Sequence, residues 1–257
     1  MVVALALVLA GVVLVPIAQA QVDSGSTYTR SLIMKEGHDI AIGPDGSAYI
    51  TGSAFSDFQS TPGAYDETQN GAVDAFVARI DPTGQLVYAT FLGGRYSDEG
   101  TGVAVDANGS AYVGGYTNSM DFPTTPGALD RSYVEPDNQT GFLAKVSPDG
   151  SSIDYSTRLP GVRGGVTDLA VDDSGAAHLT ELALQDFPAT SDAFDTTGPA
   201  GDAAEGYVAT VDATGSRFQA ASFVGGSKDD VPAVLELGPD GSTYVGGFTG
   251  RSTTRRP

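Results

Sequence analysis

Short segments in which apolar residues alternate with small or polar ones recur along the chain, and this period of two is typical of β-strands with one buried face. In the first such segment the apolar positions are Ile40 and Ile42. The alternation returns at Val103 and Val105, at Leu169 and Val171, and at Leu235 and Leu237. No segment after Gln21 has the 3.6-residue period of a helix. The pattern therefore predicts an all-β chain.

A hairpin turn follows each alternating segment, and further blocks recur after it. The turns end at almost evenly spaced glycines, which supply the positive φ that a tight turn requires: Gly46, Gly109, Gly175 and Gly241. Three more blocks recur in three copies: Asp57-Phe58, Asp121-Phe122 and Asp186-Phe187; Phe76–Ile80, Phe142–Val146 and Tyr207–Val211; Phe91–Gly94, Arg158–Gly161 and Phe223–Gly226. The chain is therefore predicted to be built from an internal repeat.

Each full repeat is predicted to contain four strands joined by two hairpin turns and one long connector. The third strand, Phe76–Ile80 in the first copy, carries apolar residues on both faces and must be covered on both. Stacked four-stranded sheets of this kind are typical of a β-propeller. We predict an all-β β-propeller of four-stranded blades, with about three complete repeats and partial blades at both ends, either incomplete or four-bladed.

The repeat resembles the bacterial β-propeller repeat family called SBBP. The resemblance rests on Ala-Val-Asp-x-x-Gly-x-Ala-Tyr-Val, on Asp-Phe-Pro-Thr-Thr-Pro-Gly-Ala and on the closing Leu-Gly-Gly, and it covers residues 28 to 249. The best copy is Ala104–Ala128 with Phe142–Gly161. The resemblance implies a propeller in an exported or surface protein of bacteria, and its motifs carry no catalytic signature.

The blocks predict a division of the chain into seven parts. They are a signal peptide at 1–20, a lead-in with a closing strand at 21–36, repeat 1 at 37–97, repeat 2 at 98–161, repeat 3 at 162–226, a partial repeat 4 at 227–249 and an aberrant or truncated tail at 250–257. The lead-in strand Tyr28–Leu32 matches the fourth strand Tyr155–Leu159, which gives fifteen strands, one fewer than four blades need. We therefore expect a fragment of a larger propeller, and self-association through open blade edges.

The amino terminus predicts export. Residues Val2–Val15 are apolar apart from Gly11, and Ala18-Gln19-Ala20 matches the cleavage pattern of a signal peptide, although no Lys or Arg precedes Arg30. The alternative is an uncleaved membrane anchor, but the apolar run barely reaches spanning length. Both interpretations place the mature chain outside the cytoplasm, as a secreted or cell-envelope protein at the extracellular surface, with no transmembrane span after signal removal.

Composition excludes several classes of protein. The 32 acidic and 13 basic residues give a net charge of −19, which argues against nucleic acid as a partner. The absence of cysteine excludes disulfides and cysteine-ligated metals. His178 occupies the place that tyrosine has in the other copies, and His38 has no second histidine at ligand spacing, so no transition-metal site is predicted.

Acidic residues in the turns are candidate calcium ligands, since Ca²⁺ prefers carboxylate oxygens. The candidates are Asp106, Asp172 and Asp173, but none has the Asp-x-Asp-x-Asp-Gly spacing of a calcium loop, and Asp before Gly is also what a hairpin turn requires. Asp57, Asp121 and Asp186 each precede a Phe; we expect the Phe to anchor the connector in the core and the Asp to cap a turn, with ligand binding as the alternative. No cofactor is predicted, with Ca²⁺ bound by these acids as the alternative.

The connector between the second and third strands differs among the copies, and such insertions are often the binding face of a repeat protein. The variable parts of the connectors are at about 66–73, 130–141 and 195–206. The alternative is that these sequences differ through neutral drift and bind nothing. The candidate ligand-binding residues there are Glu135, Asp137, Asn138, Asp202 and Glu205. No Gly-x-Ser-x-Gly motif is present, and no carboxylate pair breaks the repeat, so no catalytic residue is predicted.

Three functions are compatible with the sequence. The first is an exported, non-enzymatic scaffold that binds a protein or glycan through the connectors. The second is a piece of a propeller hydrolase or lyase whose catalytic residues lie outside this chain. The third is a structural spacer inside a long multi-repeat surface protein, which would bind no ligand.

Overall fold

The protein is an all-β chain in a computed structural model that describes residues 7–9, 12–14, 36–132, 139–184, 186–198, 205–226 and 229–250. The strands are β1 (Leu7–Leu9), β2 (Val12–Leu14), β3 (Glu36–Ile42), β4 (Ala48–Ala54), β5 (Asp74–Ile80), β6 (Leu86–Leu92), β7 (Asp98–Val105), β8 (Ala111–Thr117), β9 (Thr140–Val146), β10 (Ile153–Leu159), β11 (Val162–Val171), β12 (Ala177–Ala183), β13 (Glu205–Val211), β14 (Phe218–Val224), β15 (Asp230–Leu237) and β16 (Thr243–Thr249). Within these ranges there is no helix, so the predicted all-β class is confirmed.

Fourteen of the strands form four antiparallel sheets in which each strand pairs with the next one along the chain. Sheet I is β3–β6, sheet II is β7–β10, sheet III is β11–β14 and sheet IV is the pair β15–β16. The prediction of four strands in each full repeat and two in the last is confirmed. The described residues include no helix long and apolar enough to cross a membrane.

The ends of the chain are only partly described. Strands β1 and β2 pair with each other inside the predicted signal peptide. The remainder of residues 1–20, the predicted closing strand Tyr28–Leu32 and residues 251–257 of the predicted tail lie outside the described residues.

The four sheets stack face to face through their first strands, β3, β7, β11 and β15. Apolar residues of neighbouring sheets share one core, as where Tyr112 and Leu143 of sheet II pack with Leu169 and Leu179 of sheet III. Both faces of the third strand are covered, since Phe76 and Val77 are fully buried. Among the described residues the sheets do not close into a ring, and Tyr244 and Phe248 on the outer face of sheet IV are 62% and 77% exposed.

The connectors cover the outer edges of the three complete sheets. In each copy the N–H of a threonine near the start of the connector donates to a carbonyl of the fourth strand: Thr61 to Ala89 (2.9 Å), Thr125 to Ser156 (2.9 Å) and Thr190 to Ala221 (2.8 Å). An edge strand that is paired in this way cannot recruit another strand. The connector therefore protects the sheet before it continues to the third strand.

Candidate functional site

The calcium candidate Asp106 serves a hairpin turn. Its carboxylate accepts hydrogen bonds from the N–H groups of Asn108 (2.9 Å) and Ser110 (3.0 Å), and its other oxygen lies 3.0 Å from Lys145 Nζ. Burial disfavours its charge, but the bonds from Lys145 and the backbone prevail and lower the pKa of Asp106. The turn role of this residue is confirmed.

Asp172 has the same role one repeat later. It accepts from the N–H of Ser174 (2.8 Å) and Ala176 (3.0 Å), and His178 Nε2 lies 3.2 Å from its second oxygen. Burial opposes its charge, whereas the hydrogen bonds from Ser174 and His178 lower its pKa. Asp173 beside it is exposed. Among the described residues no cluster of three or more metal-ligating side chains is found, and calcium binding by these residues stays a prediction.

The Asp-Phe pairs anchor the connectors, as predicted. Phe122 and Phe187 are 3% and 4% exposed, and Phe58 packs 4.8 Å from the Phe76 ring, measured between ring centroids. Of the acids before them, Asp57 and Asp186 are exposed, and Asp121 accepts from the N–H of Arg95 (2.9 Å) and pairs with its guanidinium (3.0 Å). Their ligand role stays a prediction.

The variable part of each connector leaves its sheet from an equivalent anchor. The N–H of an aspartate donates to a hydroxyl in the middle of the fourth strand: Asp66 to Thr90 (2.9 Å), Asp130 to Thr157 (2.9 Å) and Asp195 to Ser222 (3.0 Å). The segments that follow begin at the same place on each sheet and are largely exposed where they are described. Three segments of different sequence thereby start from equivalent anchors on the three sheets.

Of the predicted ligand-binding residues in the connectors, the structure describes one. Glu135, Asp137, Asn138 and Asp202 lie outside the described residues. Glu205, the first residue of β13, is 4% exposed. The Glu205 side chain is therefore not exposed on the connector surface, where the candidates were expected to lie. Its ligand role stays a prediction.

Two pairs of buried acids lie where one sheet passes to the next. Asp74 and Asp98 are fully buried on either side of Gly93, and Glu205 and Asp230 flank the equivalent Gly225. Asp98 accepts from the N–H of Gly94 (2.7 Å) and Asp230 from that of Gly226 (2.7 Å). The acids therefore fix the turn that starts the next sheet. Sequence reasoning missed Asp74, because nothing local marks a buried aspartate at the start of a strand.

The Asp74 carboxyl has a raised pKa. Burial raises it to about 6, and the nearby charge of Asp98 contributes, although the N–H groups of Asn70 (2.7 Å) and Gly71 (3.0 Å) oppose the shift by bonding the carboxylate. A carboxyl with a higher pKa in the folded chain than in the unfolded chain destabilises the fold once it is ionised. Asp74 should therefore reduce stability as the pH rises.

We expect Asp74→Asn to flatten the pH dependence of stability. Between pH 4 and pH 7 the wild type should lose about 2 kcal/mol of unfolding free energy that the variant retains, because only the wild type has a buried carboxyl to ionise at position 74. Urea unfolding at a series of pH values measures this difference. Asp154→Asn, on an exposed position of β10, is the control and should follow the wild type. Parallel curves for Asp74→Asn and the wild type would contradict the assignment.

The repeat is also broken at Glu181, which sequence reasoning did not recognise. Glu181 in β12 pairs with Tyr207, in the place where Gly52 pairs with Phe76 and Gly115 with Phe142. Strand β11 beside it has ten residues, whereas β7 and β15 have eight, and its residues 164–167 form an irregularity of the strand opposite Glu181. Comparison of the repeat copies could have revealed this break, because Glu181 stands where the other copies have glycine.

Glu181 is partly buried and accepts a hydrogen bond from the Thr167 hydroxyl. Burial raises the pKa of its carboxyl to about 7. A carboxyl with such a pKa exchanges protons near neutrality, as general acids and bases do. Besides the Thr167 hydroxyl, no side chain among the described residues forms a hydrogen bond with Glu181, so the geometry alone does not assemble a catalytic site.

Comparison with known proteins supports the repeat. Residues 87–123 match the family model of SBBP, described as a beta-propeller repeat, so the resemblance is confirmed over that segment. The chain is 32% identical over 166 residues, 61% of its length, to the regulatory protein FlaEY of Caulobacter vibrioides. The matched region spans only 16% of that relative's length, so the similarity concerns a small part of a much longer protein.

Proposed function

We propose that this chain is an exported, non-enzymatic scaffold with the stacked arrangement of a β-propeller, which binds a protein or glycan through its connectors. The observation that carries the proposal is the row of equivalent anchors at Asp66, Asp130 and Asp195, each followed by a different exposed segment. A rigid stack that presents variable loops at a regular spacing is suited to recognition.

Three observations support a scaffold over an enzyme. The buried or turn-bound acids that might perform chemistry, such as Asp74, Asp98 and Asp106, bond the backbone of their own turns. The relative FlaEY is named a regulatory protein, which is compatible with binding rather than catalysis. The matching SBBP model describes a repeat and no reaction.

A glycan array and an immobilised bacterial envelope fraction provide the binding test. The full chain should bind at least one of these probes, and a variant with Glu67→Ala, Thr68→Ala and Gln69→Ala in the first connector should bind it at least about tenfold more weakly, which corresponds to about 1.4 kcal/mol. The matched control is Asn108→Ala with Asp173→Ala, in hairpin turns at the opposite ends of the strands, and it should bind normally. Absence of binding to every probe would contradict the proposal.

Export is tested separately in a bacterial host. We expect the chain to be recovered outside the cytoplasm with Gln21 as its first residue, because the Ala18-Gln19-Ala20 segment matches a cleavage site. Intact-mass measurement of the recovered protein gives the answer. A full-length chain in the soluble cytoplasmic fraction would contradict this part of the proposal.

One observation favours an acid–base enzyme as a second candidate, and this is the break of the repeat at Glu181. If Glu181 acted in catalysis, Glu181→Gln would abolish hydrolysis or elimination of a polysaccharide from the same envelope fraction and leave its binding intact. If the chain is a scaffold, no product forms with either protein. Chromatography of the released oligosaccharides distinguishes the two candidates.

A further inference from the structure

Near its end, the first connector contains an asparagine–glycine pair whose backbone is bound to a buried carboxylate. The carboxylate belongs to Asp74, the fully buried first residue of β5. Its Oδ1 accepts the N–H of Gly71 (3.0 Å), and its Oδ2 accepts the N–H of Asn70 (2.7 Å). Asn70 itself is exposed, and its side-chain Nδ2 donates to Asp66 Oδ2 (2.6 Å). A buried base therefore holds the glycine N–H beside a side-chain amide that water can reach.

The position of Gly71 is fixed by the turn that starts sheet II. A Cβ on Gly71 would overlap the carbonyl oxygen of Tyr96 and lie 2.9 Å from that of Gly94, so only glycine lets the backbones approach this closely. Because it has no side chain, glycine also leaves its nitrogen unhindered for attack on a neighbouring carbonyl carbon.

We propose that Asn70 is a site of spontaneous deamidation in which the Asp74 carboxylate acts as the base. The Gly71 nitrogen attacks Cγ of Asn70 while Asp74 Oδ1 takes the proton of that N–H, and the new bond closes an imide ring. The Cγ–Nδ2 bond then breaks; the departing nitrogen receives a proton through water and leaves as ammonia, and Asp74 returns to its ionised form. Water opens the imide at either of its C–N bonds, so residue 70 becomes aspartate or isoaspartate. The net reaction consumes one water and releases one ammonia.

A second asparagine–glycine pair, Asn108 with Gly109, lacks this base. The N–H of Gly109 donates to the backbone carbonyl of Asp106 (3.0 Å). The Asp106 carboxylate accepts instead from the N–H groups of Asn108 and Ser110. Both asparagines are exposed, so the two pairs differ in the group that receives the glycine proton. A backbone carbonyl is a far weaker base than a carboxylate, and Asn108 should therefore deamidate more slowly than Asn70.

Deamidation changes the charge of the first connector. The Asp66 carboxylate loses its Nδ2 donor and faces a second carboxylate in its place, and like charges repel each other. The connector to which we assign binding would thereby change as the protein ages. The deamidation itself does not depend on that binding.

Peptide mapping by mass spectrometry, after incubation of the full chain at a series of pH values, tests the site. At neutral pH the amide of Asn70 should be converted to an acid at least about tenfold faster than that of Asn108, because a positioned base contributes at least that much. Burial raises the pKa of Asp74 to about 6. The rate at Asn70 should therefore level off once Asp74 is ionised, whereas the rate at Asn108 should keep rising with pH because it depends on hydroxide from the solvent.

Asp74→Asn distinguishes a base from a structural clamp. The variant cannot take the proton, so conversion of Asn70 should slow at least about tenfold. If Asp74 only fixed the connector, its replacement would loosen the segment and conversion would become faster. Asp154→Asn, on an exposed position of β10, is the matched control and should leave the rate unchanged.

Circular dichroism checks that both variants are folded, and the pH profile of the wild type decides the matter if Asp74→Asn does not fold. Three results would overturn the proposal. They are equal rates at Asn70 and Asn108, unchanged or faster conversion in Asp74→Asn, and a rate at Asn70 that keeps rising with pH as at Asn108.

Discussion

Replacement of Gly115 by alanine is expected to destabilise the protein by about 3 kcal/mol or more, at the upper end of what overpacking costs. A Cβ at this position would overlap the carbonyl oxygen of Glu99 on the neighbouring strand and lie 2.9 Å from the Phe142 ring. Neither the strand nor the buried ring can move without disturbing the interface between sheets. Urea unfolding followed by circular dichroism measures the loss.

The control for this prediction is Gly226→Ala. The nearest atom to its added Cβ, an oxygen of Asp230, would be 3.8 Å away, and the N–H that bonds Asp230 is retained. This variant should differ from the wild type by no more than about 0.5 kcal/mol, as for an ordinary surface change. If Gly115→Ala were equally harmless, the close approach of β7 and β8 would not be real.

Replacement of Arg158 by methionine should cost about 3 kcal/mol or more, because it removes three hydrogen bonds from a charged donor and leaves the carbonyl of the buried Ser119 without its donor. Arg158 is 2% exposed, and its guanidinium donates to the carbonyls of Ser119 (2.9 Å), Met120 (3.0 Å) and Ser132 (3.0 Å). It thus ties the start and the middle of the second connector to β10. The variant should also be cut faster by protease within this connector, which peptide mapping detects.

Arg217→Met is the matched control for Arg158→Met. The Arg217 side chain is 72% exposed, and its Nε lies 3.4 Å from Asp212, so its loss should cost less than about 1 kcal/mol. Equal stability of the two variants would show that the bonds from Arg158 to the connector contribute little. Unchanged proteolysis of Arg158→Met would lead to the same conclusion.

Features that depend on near neighbours in the chain were predictable from the sequence. The alternation at Ile40 and Ile42 predicted a strand, and β3 ends at Ile42. The turn glycines Gly46 and Gly109 have φ values of 81° and 84°, as a tight hairpin requires. The anchoring Phe122 and Phe187 were also predicted correctly, because a large apolar residue recurring in polar connectors has few stable places outside a core.

Features that depend on distant residues were not predictable in this way. Arg158 stands where Phe91 and Phe223 stand in the other copies, and only the structure shows that carbonyls of a distant connector satisfy it. Glu181 stands where the other copies have glycine, and strand β11 is irregular opposite it. In both cases the substitution was visible in the repeat, but its compensating partner is far away in the chain.

The sequence by itself determined the strands, their turns and their repetition, since a period of two and a glycine at a turn act over a few residues. The tertiary structure decided which of the equivalent side chains are buried. Tyr112 and Tyr244 occupy the same position of the repeat, yet the first is fully buried and the second is 62% exposed. The physical reason is that burial depends on whether another sheet lies against the side chain, which no local pattern encodes.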